Sequence, residues 1–233
     1  MTAYLFTPPE IASLSVRGTS QRFAVNRIFC VGRNYHAHAA EMGRTVDKSV
    51  DSAFYFTKSP QTLVPSGATV AYPPGTQNYH YEMELVVAIG KGGFRVSENQ
   101  AHQLVYGYAS GLDMTRRDLQ LVARDKGRPW DLGKDFEESA ICSEIVPMPG
   151  VVLEQAAISL QVNGQTRQSS DISKLIWNVR EIIADLSRFY HVQPGDLIYT
   201  GTPEGVGAVV TGDHLMGHIE GVADVALTVG PAL

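Results

Sequence analysis

The sequence of 233 residues contains only two cysteines, Cys30 and Cys142. That is too few for a disulfide framework and fits a reducing compartment. No apolar run comes near the roughly 20 residues a membrane-spanning helix requires, so no membrane is expected as a partner. The first ten residues, Met1–Glu10, lack the basic and apolar regions of a secretion signal. Positive charge is in deficit: 19 Lys and Arg stand against 24 Asp and Glu, a formal net charge of −5. This disfavours a nucleic-acid backbone or an anionic lipid surface as ligand. With 44% hydrophobic against 18% charged residues, and no repeat or low-complexity tract, a mainly disordered chain is excluded. The expectation is a soluble, cytoplasmic, globular protein.

What is present is a pattern of short β-runs broken by glycine and proline. Residues 1–23, with Pro8-Pro9 and scattered serines, read as a lead-in, and residues 24–233 as one domain large enough to bury its own core. The 22 glycines slightly exceed the usual share of about 7% and suit a turn-rich, predominantly β architecture. Arg27–Gly32 reads as a strand leading into a short helix over 34–42. A polar, mobile loop is expected over 43–52. Further strands are expected at 54–57, 81–90, 196–200 and 222–229. Ser97 is read as the cap of a helix to about Tyr108, and Thr115 with Asp118 as a capping box opening a helix that ends at Gly127. Asn163-Gly164 predicts a two-residue hairpin turn. Leu175, Ile176, Val179, Ile182, Ile183, Leu186 and Phe189 recur at helical spacing after Ser173.

Within 80–89 the strand period sends Tyr81, Met83, Leu85, Val87 and Ile89 to the core and puts His80, Glu82 and Glu84 on the other face. The two glutamates then emerge about 6.7 Å apart. Carboxylates that close repel unless a proton or cation lies between them, and an all-oxygen donor set suits Mg²⁺, Mn²⁺ or Ca²⁺. The solvent face of an edge strand would give the same pattern. Asp113, between a strand end and a new helix, can supply a third carboxylate or simply cap a turn.

His38 and Glu41 are three residues apart on the short helix and share a face. A carboxylate that fixes an imidazole tautomer is how a water-activating base is built, although a solvated polar pair would look alike. His36 has no matching acid and is read as surface. The glycine clusters at 90–93 and 205–207 do not match a phosphate-cradling pattern and are read as turns.

Taken together and in this order, Val31–His38 with Glu41, Tyr79–Val86, Gly111–Gln120, Gly133–Phe136 and Pro194–Gly207 resemble the fumarylacetoacetate hydrolase family, and within it the short acylpyruvate hydrolases. The resemblance runs from about Ala24 to the C-terminus. It implies a mixed β-sandwich roll of α+β class with a few peripheral helices, a homodimer, and a bound Mg²⁺ or Mn²⁺. It implies that Glu82, Glu84 and Asp113 are metal ligands and that His38 and Glu41 are a water-activating dyad on a closing lid. Gln120 and Lys134 would stabilise developing charge, while Arg33, Arg117 and Thr202 would contact substrate. Arg33 has an alternative as a lid anchor. The loop over 43–53 and the Thr57-Lys-Ser-Pro60 that follows it depart from the family pattern.

The implied substrate is a small anionic 2,4-dioxo acid, fumarylpyruvate above all, hydrolysed between C3 and C4 to pyruvate and an acid. A second reading, oxaloacetate decarboxylation or a decarboxylation with isomerisation in aromatic catabolism, uses the same electron sink without water attack. A non-catalytic metal-binding role ranks last, because every residue of the pattern is present. Three carboxylates around a divalent cation leave one formal negative charge, which Arg117 and Lys134 would offset.

Overall fold

The computed structural model describes residues 3–232. Its centre is a mixed sheet of eight strands: β1 (Arg27–Gly32), β2 (Phe54–Lys58), β3 (Leu63–Pro65), β4 (Met83–Ile89), β5 (Val105–Asp113), β6 (Ala140–Cys142), β7 (Val146–Pro147) and β8 (Asp196–Tyr199). They lie in the order β2-β1-β8-β4-β5-β6-β3, with β7 added to β5. The β1–β8 and β6–β3 pairs are parallel and the others antiparallel. A second sheet of five strands runs in the spatial order Gln165–Asp171, Ala157–Val162, His214–Ile219, Val225–Ala232 and Ala68–Tyr72. Among the described residues five short α-helices sit around the sheets: α1 (His36–Glu41), α2 (Glu98–Ala101), α3 (Arg117–Asp125), α4 (Asp131–Lys134) and α5 (Val179–Phe189). This is the predominantly β, α+β roll that the resemblance implied. Among the described residues no helix is long and apolar enough to cross a membrane.

The strand β4 explains where the core sits, because it is buried along its whole length. Met83, Leu85, Val87 and Ile89 join the main apolar cluster with Leu160, Leu215 and Leu227 of the second sheet. The alternate residues Val86 and Ala88 pack into a second cluster with Leu14, Val16, Leu197 and Tyr199. Leu14 and Val16 therefore plug the far face of the central sheet. Burying one such aliphatic side chain stabilises the fold by roughly 1.5–3 kcal/mol.

Four local expectations are corrected. The helix expected from Ser97 to Tyr108 stops at Ala101, continues as a 3₁₀ turn to Leu104, and gives way to β5. The reason lies in tertiary packing: a Cβ on Gly107 would sit 2.2 Å from the Val146 carbonyl oxygen, which comes that close only through strand pairing. Thr115 and Asp118 do not form a capping box, since α3 starts at Arg117 without a side-chain cap. Asp118 instead accepts hydrogen bonds from Thr76 Oγ1 at 2.6 Å and the Gln77 amide at 3.1 Å. The amphipathic run beginning at Leu175 becomes helical only at Val179, where Asn178 and Glu181 form a capping box, while Leu175 bridges to Tyr35. Finally, the strand expected from Tyr81 is interrupted at Glu82, between Tyr79–Tyr81 and β4. The hairpin turn is as predicted: Asn163 and Gly164 have φ of 51° and 77°, as a type I′ turn needs. The 43–53 segment has neither helix nor strand, and Lys48 ties it to Glu181 of α5 at 2.6 Å.

Candidate active site

Antiparallel pairing of β4 with β5 gathers the acidic residues. Glu84 lies opposite Gly111 and Met83 opposite Leu112, and the Asp113 amide donates to the Glu82 carbonyl at 2.9 Å. One carboxylate oxygen from each of Glu82, Glu84 and Asp113 lies within 4.8 Å of the others. All three side chains are buried, so the edge-strand and turn-cap alternatives do not describe them.

Three cations surround this cluster. Arg117 reaches Glu82 Oε1 at 2.5 Å, and Lys134 reaches Glu82 Oε2 at 2.7 Å and Asp113 Oδ2 at 2.6 Å. Lys58, absent from the sequence-derived set, lies 2.9 Å from Asp113 Oδ1. The two glutamates titrate in opposite directions. Burial raises Glu82, but Lys134 and Arg117 outweigh it and hold that carboxyl well below its ordinary value. Burial, Asp113 and Glu82 push Glu84 well above it, with Lys134 and the Gly201 amide opposing.

The donor set fits a hard divalent cation. Lys58 directs hydrogen bonds at Met114 O, Lys134 O and Ser139 Oγ, so the buried Asp113 Oδ1 receives none and keeps a free lone pair. Glu84 has no protein cation beside it comparable to those on Glu82, and a divalent ion would favour its ionised form.

The helix α1 carries the dyad. His38 Nδ1 lies 3.4 Å from Glu41 Oε2, and the Gly205 amide donates to both Glu41 oxygens at 3.2 and 3.3 Å. The hydrogen bond with His38 is the largest of the influences holding Glu41 below its ordinary value, against a smaller upward push from burial. Gly205 has φ of +90°, and a Cβ there would meet the Arg167 carbonyl at 2.2 Å; the segment expected as a turn is instead an irregular stretch that braces Glu41 and enters a short strand, Gly207–Ala208, paired with Tyr81. Asn34 fixes the entry to the helix by donating to Trp177 O at 2.9 Å and Thr200 O at 2.8 Å. His36 is exposed, as expected.

Arg33, His38, Glu82, Glu84, Arg117, Gln120, Lys134 and Thr202 line one cavity, so these sequence-derived residues meet in one place. Asp113 lies beneath it and Glu41 behind His38. Gln120 Oε1 accepts from Arg117 at 2.5 Å, which turns the carbonyl end away and leaves the amide NH₂ as its available donor. Lys134, expected as a charge-stabilising donor, directs its three protons to Glu82, Asp113 and Thr115 Oγ1, the last at 2.8 Å. Here it organises carboxylates. Thr202 Oγ1 accepts from the fully buried Gln168 at 2.9 Å, leaving its own proton free.

Sequence reasoning passed over Lys58, Gln168, Asn34 and two arginines of the cavity wall, Arg44 and Arg124. Lys58 carried a signal, a lysine ending the aromatic alternation Phe54-Tyr-Phe-Thr, which reads inward by strand period. Gln168 sits in a polar hairpin strand and carried none.

With this geometry in hand, comparisons with known proteins are specific. The family described as fumarylacetoacetate (FAA) hydrolase C-terminal matches residues 27–230. A fumarylpyruvate hydrolase from a Ralstonia species is 80% identical over 191 residues, which cover 82% of this chain and 100% of that one. A mitochondrial oxaloacetate tautomerase from Rattus norvegicus is 40% identical over 203 residues, 87% of this chain and 90% of that one. Among solved structures, fumarylpyruvate hydrolase from Pseudomonas aeruginosa, in complex with Mn²⁺ and pyruvate, matches with a TM-score of 0.93 at 50% identity. That match covers 98% of this chain and 100% of the other.

Proposed function

The chain belongs to the fumarylacetoacetate hydrolase family, and on that premise we propose that it is an acylpyruvate hydrolase cleaving fumarylpyruvate to fumarate and pyruvate. Glu82, Glu84 and Asp113 hold Mg²⁺ or Mn²⁺. The observation that carries this reading is the buried carboxylate triad sharing one cavity with the His38–Glu41 pair. The Ralstonia relative, similar over its whole length, supports the choice of substrate.

A divalent cation held by Glu82, Glu84 and Asp113 would supply Lewis-acid stabilisation of the enolate that leaves. Glu41 holds His38 by Nδ1, so Nε2 is the nitrogen that takes a proton from water. That water adds to C4, and the Gln120 amide donates to the oxyanion that forms there, a role commonly worth a few kcal/mol, about 3–4, per donor. Breakage of the C3–C4 bond leaves the acid on C4 and returns a proton to C3, giving pyruvate. Arg117 and Lys134 keep Glu82 ionised, Lys134 holds Asp113 in place, and Thr202 donates to the substrate carboxylate. The finer part of the reading is a cytoplasmic homodimer; two buried free thiols accord with a reducing compartment.

The relative named as an oxaloacetate tautomerase favours one second reading, proton movement on oxaloacetate without water attack. Both are tested in one experiment: fumarylpyruvate and oxaloacetate are incubated in parallel with enzyme and Mg²⁺ or Mn²⁺, and pyruvate and fumarate are quantified. Equimolar pyruvate and fumarate from the first substrate supports hydrolysis. No C–C cleavage, with oxaloacetate enol and keto forms equilibrated faster than in buffer, supports the second reading instead.

A further inference from the structure

The cavity that holds the carboxylate triad has a second charged region, of opposite sign, which the reaction at C4 does not use. Arg33, Arg44 and Arg124 all line its wall. They differ from the triad in depth: Arg33 and Arg124 are partly exposed and Arg44 is exposed, whereas the acids are buried. Arg33, Arg124 and Trp130 also border an adjoining surface groove, which places them at the mouth.

Only one of these arginines, Arg124, has an ion-pair partner among the described residues. Among the described residues, Arg33 and Arg44 make no side-chain hydrogen bond or ion pair. The Arg33 guanidinium instead lies 5.4 Å from the Phe54 ring and 5.8 Å from the Trp130 ring, contacts that position a cation without using its hydrogen-bond donors. Arg124 is engaged on one edge by Asp125 at 2.8 Å, and that carboxylate is largely exposed. Arg33 has φ of 57°, a left-handed backbone position that is strained for a non-glycine residue and that clusters at binding sites. Burial, with Arg44 and Arg124 adding to it and Asp51 opposing, pushes the Arg33 guanidinium below its ordinary value.

We propose that Arg33, Arg44 and Arg124 form a carboxylate-binding site at the cavity mouth, which selects 2,4-dioxo acids whose acyl group ends in a carboxylate over those with an apolar end. The inference rests on the hydrolase reading above and deepens it. An acylpyruvate places its 2-keto acid at the triad, and a fumaryl group then carries its second carboxylate outward along the cavity. Guanidinium forks suit a planar carboxylate. Arg44 lies three residues beyond α1, and its amide donates to the Ala39 carbonyl at 2.8 Å. Engagement of Arg44 by substrate therefore also steadies the helix that carries His38.

The test compares kcat/KM on fumarylpyruvate and on acetylpyruvate, which has the same head and no distal carboxylate, for wild type, Arg44→Gln, Arg33→Gln and Arg44→Lys. The ratio of the two constants should fall at least about tenfold in each Gln variant, the scale of one charge-assisted hydrogen bond, and recover partly in Arg44→Lys. A ratio within about twofold of wild type in both Gln variants, below the energy of one such bond, overturns the proposal. Arg44 is exposed, so its substitution leaves the core intact. If wild type cleaves neither acylpyruvate, the hydrolase reading falls, and calorimetric titration of fumarate with Mn²⁺ and pyruvate present decides the arginine site alone. Weaker fumarate binding by both Gln variants supports the site, and unchanged binding rejects it.

Discussion

Lys58 Nζ lies 2.9 Å from Asp113 Oδ1 with both side chains fully buried, yet it gives that oxygen no hydrogen bond. Its donors serve Met114 O, Lys134 O and Ser139 Oγ instead. The lysine thus neutralises the aspartate while leaving one of its lone pairs for a cation, and it also ties β2 to the end of α4.

Lys58→Met should therefore cost more than a surface charge. Asp113 keeps Lys134 at 2.6 Å, but loss of the second buried cation and of its hydrogen bonds to Met114 O, Lys134 O and Ser139 Oγ should destabilise by about 1–3 kcal/mol. Urea unfolding of the metal-free protein reads this directly. A loss under about 1 kcal/mol, the size of an exposed pair, would place Lys58 outside the network's support.

Ligand and base substitutions should separate cleanly. Glu82→Gln removes a carboxylate from the triad and is expected to lose both bound metal, measured by elemental analysis after dialysis, and C–C cleavage. His38→Ala should retain metal at wild-type stoichiometry and lose cleavage by at least about 10²-fold. An active His38→Ala enzyme would sink the mechanism.

Glu41 should remain ionised as pH falls through the ordinary carboxylate range, because its folded-state pKa is depressed. A group of this kind contributes stability that is present above its unfolded pKa and is lost as pH falls through the lower folded one. The fall in Tm from pH 7 to 3 should accordingly be shallower in Glu41→Gln. The same variant should lose about 10²-fold in kcat through loss of the imidazole's orientation. Gly205→Ala should reproduce part of that loss, since its Cβ would meet Arg167 O at 2.2 Å and displace the amide that braces Glu41.

The two cysteines should be inert in the folded protein. Burial pushes the Cys142 thiol up to about 12, and burial, with Asp113 adding to it, pushes Cys30 well above its ordinary value. Iodoacetamide at pH 8.5 should label neither thiol in buffer and both in guanidinium, with modification counted by mass spectrometry. Labelling of the native protein at the unfolded rate would contradict the packing of β1 and β6.

Much of the site was legible because its chemistry is spaced locally. Glu82 and Glu84 announce a shared face by strand period, and His38 and Glu41 by a helical turn; both geometries need only a few consecutive residues. The helix limits failed where distant strands decided them, as at Gly107 against Val146 and at Thr115, whose hydroxyl faces Lys134 rather than capping α3. The capping box that does exist, Asn178 with Glu181, is a short-range signal, but the apolar periodicity running back to Leu175 obscured it.

The two absences that framed the sequence, few cysteines and a deficit of positive charge, proved to be averages over different environments. Sequence alone determined a β-rich chain, a pair of alternating glutamates and a His–Glu pair, because side-chain period depends on backbone geometry over one or two turns. Tertiary structure alone decided that Asp113 completes the triad, that Lys58 neutralises it and that three arginines of a net-acidic protein converge at one cavity mouth. Those outcomes depend on the register of β4 on β5 and of β1 on β2. Strand pairing joins residues far apart in the chain, and no local pattern records which of them will face each other.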